Sequence, residues 1–217
     1  MAGNPANAIN VNTTGIVYFN TSTFQSIGNG FAGQVLTSAG MSSQPIWASS
    51  PAAKFVLISS QTAANVSTIS FTSIQGYTSY FLNFRGVRPT TNTDILQMLV
   101  STDNGTAYQV SGYTSGLSYT PYNSATLNNI NQSTYFAMSS GLSSTGFMDG
   151  FVYIYSLNVG LPACINGLAT WNDTTLATQV SGQISGNAAN SVNAIRLQMG
   201  AGNIANGVFS LYALSEA

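Results

Sequence analysis

Asn65-Val66-Ser67-Thr68-Ile69-Ser70-Phe71-Thr72-Ser73 decides the fold class. Val66, Thr68, Ser70 and Thr72 alternate with Ser67, Ile69, Phe71 and Ser73, which puts Ile69 and Phe71 on one face of an extended chain. A period of two marks a half-buried strand. Upstream, Lys54-Phe55-Val56-Leu57-Ile58 is a compact apolar run, and downstream Tyr77 to Arg85 carries Tyr80, Phe81, Leu82 and Phe84. Residues 94–100 and 106–110 flank Asp103-Asn104-Gly105, a pattern that predicts a hairpin. Further strands are predicted at 134–138, 147–157, 161–171, 176–184, 191–199 and 208–214, separated by Gly and Asn clusters. No segment shows a capped helical period. About ten short strands at this spacing predict an all-β chain, an antiparallel sandwich or jelly-roll-like domain. A β-prism or an intertwined trimeric β structure shares the same pattern.

The chain reads as two regions. Residues 51–217 hold the strand series and form the expected head domain. Residues 1–50 are rich in Gly, Asn, Ser and Thr, with short apolar pieces: Ile16-Val17-Tyr18-Phe19 as a short strand, Phe24 and Ile27 as local packing, Gly28-Asn29-Gly30 as a turn. This segment is too interrupted to close a core, yet it carries Phe19, Phe24, Leu36 and Trp47. Burying one such side chain is worth about 1.5–3 kcal/mol. These four are therefore expected to meet symmetry-related copies or neighbouring proteins, most simply around a three-fold axis, with Trp47 as an anchor near the junction. Folding back onto the chain's own head is the alternative.

Composition narrows the function. Only 4% of the 217 residues are charged, against about a quarter in ordinary domains, while 44% are hydrophobic. Four dispersed cations, Lys54, Arg85, Arg88 and Arg196, and a net charge of -1 argue against nucleic-acid binding. So little charge also gives little repulsion between copies, which suits a surface occupied in an assembly. No apolar run is long enough for a membrane-spanning helix, and the start lacks a secretory signal. With no His and one Cys, zinc and copper sites are not expected, nor is any other cofactor. Cys164, in an apolar run, reads as a buried structural thiol. Without His, Ser-His-Asp and Cys-His catalysis cannot be built. A carboxylate pair would have to come from Asp94, Asp103, Asp149, Asp173 and Glu216, all in different segments. No catalytic residue is assigned.

Two features bear on recognition. Tyr108, Tyr113, Tyr119 and Tyr122 lie in a Gly/Ser-rich stretch, where exposed rings beside Asn and Ser can stack on sugars. Packing on strand faces or at a subunit interface is the plainer reading. Arg85 and Arg88 are expected to pair with Asp94 or with carbonyls. Ser101-Thr102-Asp103-Asn104-Gly105-Thr106-Ala107-Tyr108 resembles the Asp-box, a Ser-x-Asp-x-Gly-x-Thr-Trp turn of sialidases and other β proteins, departing from it at Ala107 and Tyr108. The carboxylate accepts backbone N–H bonds while Gly takes positive φ, which makes the motif a turn in the first place and a calcium site only secondarily.

Gly33-Gln34-Val35-Leu36-Thr37-Ser38-Ala39-Gly40, followed by Pro45-Ile46-Trp47, resembles a segment recurrent in phage tail-fibre and related virion proteins, where it leads into a distal domain. Phe84-Arg85-Gly86-Val87-Arg88-Pro89 and Ser191-Val192-Asn193-Ala194-Ile195-Arg196 resemble such a β domain more loosely. The resemblance implies a non-enzymatic virion structural protein on the tail or capsid surface. It further implies a homotrimer, attached to other virion proteins through residues 1–50, and together with the Tyr-rich, charge-poor loops it leads to the expectation of a head that contacts a host-surface glycan. Capsid decoration or cement, a collar or a baseplate component is the alternative. The region before the head has no heptads and forms no coiled-coil shaft.

Overall fold

The computed structural model describes residues 16–20, 23–32, 34–40, 43–49, 55–121, 126–157, 159–171, 175–184 and 191–214. The chain divides into two compact units, parting between Ala52 and Ala53. Among the described residues there is no helix, and so none long and apolar enough to cross a membrane.

The first unit holds two hairpins. β1 (Ile16–Asn20) pairs with β2 (Thr23–Ile27), and β3 (Gln34–Thr37) pairs with β4 (Ile46–Ser49). Two parts of the Gly33 to Trp47 segment are thus antiparallel strands, and Leu36 faces Trp47 across them.

The second unit is an antiparallel sandwich. One sheet has the order β10-β9-β14-β13-β12-β7-β16-β5 and the other β11-β8-β15-β6. Its strands are β5 (Phe55–Val66), β6 (Thr68–Phe71), β7 (Tyr80–Pro89), β8 (Leu96–Ser101), β9 (Tyr113–Pro121), β10 (Asn128–Gln132), β11 (Phe136–Ala137), β12 (Met148–Tyr155), β13 (Cys164–Trp171), β14 (Thr175–Ile184), β15 (Ala194–Met199) and β16 (Ile204–Leu214). If β9, β10, β13 and β14 are set aside, two four-stranded sheets remain, β5-β16-β7-β12 and β6-β15-β8-β11. In them the chain crosses between the sheets at every step except β8 to β11, which are neighbours in the small sheet, and this is the jelly-roll arrangement of eight strands. The four strands set aside are insertions that widen one sheet to eight strands.

Alternation places the core between the sheets. Leu96, Met98 and Val100 of β8 and Ile195, Leu197 and Met199 of β15 point inward from the small sheet. Tyr80, Leu82 and Phe84 of β7, Val152 and Ile154 of β12, and Phe209 and Leu211 of β16 meet them from the large one. β7 keeps its face through a bulge at Gly86, whose φ of 61° places both Phe84 and Val87 inward. Asp149 clamps the bulge, its Oδ1 accepting the Gly86 N–H at 2.6 Å.

Three expectations are corrected. The alternating stretch that opened the reading is two strands: β5 ends at Val66 and β6 starts at Thr68, in the other sheet, after Asn65 takes a φ of 56°. No hairpin forms at 106–110, because the Asp103 carboxylate draws the following N–H group into a turn. Cys164 is half-buried on the outer face of β13, its thiol donating to the Pro162 carbonyl at 3.6 Å, rather than a core residue.

Candidate functional site

The turn at 101–107 is built from its own side chains. Ser101 Oγ donates to Asp103 Oδ1 at 2.6 Å and accepts from the Gly105 N–H at 2.9 Å, while the Ala107 N–H donates to both Asp103 carboxylate oxygens at 2.9 and 3.1 Å. Asn104 and Gly105 take φ values of 60° and 88°, as the motif requires. The Ala107 and Ser101 hydrogen bonds hold the Asp103 carboxyl below its ordinary pKa. Asn193, just ahead of β15, ties the turn down: its Oδ1 accepts the Asn104 N–H at 2.8 Å and its Nδ2 donates to the Thr102 carbonyl.

The turn delivers Tyr108 onto the outer face of the small sheet, where the Arg196 guanidinium lies 3.7 Å from the centre of its ring. Arg196 sits on that face because it alternates with Ile195 and Leu197, and Gln198 follows it there. Across the ladder Arg196 faces Leu99 and Gln198 faces Gln97, whose side chains are joined by a 3.3 Å hydrogen bond from Gln198 Nε2 to Gln97 Oε1. With Val110, Thr134 and Tyr135 these residues enclose a pocket of about 340 Å³. Partial burial raises the Tyr135 pKa, against a smaller lowering by a hydrogen bond with Gln97. Amide, hydroxyl, guanidinium and aromatic groups converge here, a donor and acceptor set suited to a polyhydroxylated ligand.

The four tyrosines proposed from sequence do not form one surface. Tyr108 belongs to this pocket. Tyr113 is a core residue, 3% exposed, its hydroxyl accepting from the Val100 N–H and donating to the Gln109 carbonyl, both at 3.0 Å. So deep a ring has no face to stack on a sugar. Tyr119 is half-buried 6.2 Å from Trp171, and Tyr122 lies outside the described residues. The sequence reading did not assign Arg196, Gln97, Gln198 or Tyr135 to a site. The polar 196 and 198 positions interrupting apolar 195, 197 and 199 were the available signal.

Arg88 and the described carboxylates are engaged elsewhere. Arg88 donates to Asn206 Oδ1 at 2.7 Å, not to Asp94. The buried Asp94 instead accepts from the N–H groups of Ile95, Ala201 and Gly202 at 2.8–3.0 Å. Asp94, Asp103 and Asp149 thus each serve a different stretch of backbone, Asp149 from within β12, and Asp173 and Glu216 lie outside the described residues. Among the described residues no three His, Cys, Asp or Glu side chains gather as a metal site.

Of the assembly residues, Phe19 and Phe24 pair across the first hairpin through their backbones, while their side chains lie outside the description. Leu36 is exposed. Trp47 is half-buried: its Nε1 donates to the Gly28 carbonyl at 2.6 Å and its ring covers Gly30.

A second surface emerges on the outer face of the large sheet. Phe81 of β7 is ringed by Phe55 at 5.2 Å, Tyr153 at 5.1 Å, Phe151 at 5.5 Å and Tyr212 at 6.1 Å between centroids, and Tyr155 stacks on Tyr153. No family model matches the chain, and neither a curated protein nor a solved structure matches it.

Proposed function

We propose that this chain is a non-enzymatic virion structural protein of the tail or capsid surface, of tail-fibre or adhesin type, whose jelly-roll head contacts a host-surface glycan. It works as a homotrimer and attaches to other virion proteins through residues 1–50. It needs no cofactor, binds no nucleic acid and inserts into no membrane. The observation that carries the reading is the pocket between Tyr108, Arg196 and the Gln97–Gln198 pair, whose chemistry suits a sugar. The tail-fibre-like Gly33 to Trp47 segment supports the virion setting. Exposed Ile16, Phe31, Val35, Leu36 and Ile46 in the first unit support assembly, since apolar side chains in water are stabilised by burial against a partner.

Glycan arrays of host-envelope polysaccharides, probed with the full chain, test this function. Binding that Tyr108→Ala weakens is the expected result; folded protein that binds no host polysaccharide overturns the adhesin reading. Light scattering on the full chain at micromolar concentration is expected to give a trimer, and a monomer refutes self-assembly. A second reading, a decoration, collar or baseplate protein without receptor, is favoured by the aromatic outer face of the large sheet, which suits packing against another virion protein. Labelling in intact particles separates the two: a position on the capsid faces sinks the fibre reading.

A further inference from the structure

We propose that the pocket on the outer face of the small sheet takes a carboxylate-bearing sugar, with Arg196 as the group that selects it. The inference rests on the glycan-binding reading and adds the charge of the ligand.

The argument starts from an unspent cation. Arg196 is one of only four basic residues in the chain. Its side chain has no ion pair among the described residues, and its Nε is fully buried without a hydrogen-bond partner there. The carboxylates among the described residues are committed elsewhere: Asp94 to the N–H groups of Ile95, Ala201 and Gly202, Asp103 to Ala107 and Ser101, Asp149 to Gly86. A guanidinium partly withdrawn from water without a counter-charge is costly to keep, and the cost falls when an anion arrives.

Geometry prepares the site. The guanidinium carbon lies 3.7 Å over the centre of the Tyr108 ring, a contact that favours keeping its planar fork at the pocket. A carboxylate matches that fork with two parallel charge-assisted hydrogen bonds, and a neutral hydroxyl does not. The Gln97–Gln198 pair and Tyr135 stand alongside to bond ring hydroxyls, and Val110 and Leu99 supply the apolar wall that a sugar's C–H face needs. The wider groove of about 540 Å³ beside β9 and β10 offers no comparable charge; it is lined by Tyr113, Thr114, Ser115, Gly116, Asn131, Gln132 and Ser133.

The experiment uses the full chain and three soluble probes, glucuronate, glucose and acetate, followed by NMR chemical-shift changes. A host polysaccharide containing uronic acid is then compared with its carboxyl-reduced form. Glucuronate is expected to bind about tenfold or more tightly than glucose, with shifts confined to the Arg196 and Gln198 region. Carboxyl reduction is expected to weaken the polysaccharide to a similar degree. Arg196→Gln should abolish the preference, and Arg196→Lys should keep part of it, since the charge survives and the fork does not. Tyr135→Phe, which leaves the cation in place, should weaken both sugars alike and keep the preference. Equal binding of glucuronate and glucose, or of the native and reduced polysaccharide, overturns the acidic-sugar proposal and leaves the glycan reading standing. Acetate binding as tightly as glucuronate overturns the sugar part. No binding of any probe or polysaccharide overturns both.

Discussion

Replacing Tyr113 by Phe isolates one buried hydroxyl. In the folded chain that hydroxyl accepts the Val100 N–H and donates to the Gln109 carbonyl, while the ring sits edge-on to Phe136 at 4.9 Å. Phe preserves the ring packing and strands the Val100 N–H away from water, at a cost of about 1–3 kcal/mol. The same burial pushes the Tyr113 pKa from 10.0 up to about 12, against a smaller lowering by the Val100 hydrogen bond. The folded state therefore holds this proton more tightly than the unfolded chain. The resulting stability is fully present below pH 10 and is lost, at about 1.4 kcal/mol per pH unit, as pH climbs toward 12. Urea denaturation of both proteins at pH 8 and at pH 11.5 reads the difference, and titrations common to the two cancel. The wild type should lead at pH 8, and its lead should shrink by about 2 kcal/mol at pH 11.5. A Phe variant as stable as the wild type at pH 8, or a gap unchanged with pH, refutes the reasoning.

Gly167 lies against the backbone of Phe151, and a Cβ there would also stand 2.7 Å from the Val152 Cα, so Gly167→Ala should destabilise by about 1–3 kcal/mol or more in thermal unfolding. Asp94→Ala strips the acceptor from the Ala201 and Gly202 N–H groups; a loss of about 3 kcal/mol is expected by urea titration, with Asp94→Asn milder. The Asp103 carboxyl has its pKa lowered from 3.8, so its contribution is present above that value and lost as pH falls through the lower, folded one. Calorimetry between pH 5 and pH 2 should therefore show the gap between wild type and Asp103→Asn closing at the acid end.

The sandwich was legible where side chains alternate over a buried face. β8 and β15 announce themselves through Leu96, Met98 and Val100 and through Ile195, Leu197 and Met199. β5 was read only to Ile58, because its continuation through Ser59, Ser60, Gln61 and Thr62 is an edge strand of small polar residues held by pairing with β16. β9 and β10 escaped notice for the same reason: Ser115, Gly116, Asn128 and Asn129 carry no strand signal, and neighbouring strands supply the order. At the site, Tyr108 was visible from the motif that precedes it. Its partners were not, since Arg196 meets Tyr108, and Gln198 meets Gln97, only through folding and a cross-strand register that no local pattern encodes.

The place of β16 sets the order in which this head can be made. It is the last strand of the sandwich to leave the ribosome, yet it lies between β5 and β7, two of the first. Until it emerges, β5 has no neighbour in its sheet, and β7 exposes one edge along its length. The nascent domain cannot close early, and contacts so distant in sequence make closure slow. Chains cut short before Ile204 would present two open strand edges with Leu82 and Phe84 beside them, a template for aggregation. Emergence of β16 thus acts as the licence for this sandwich to close.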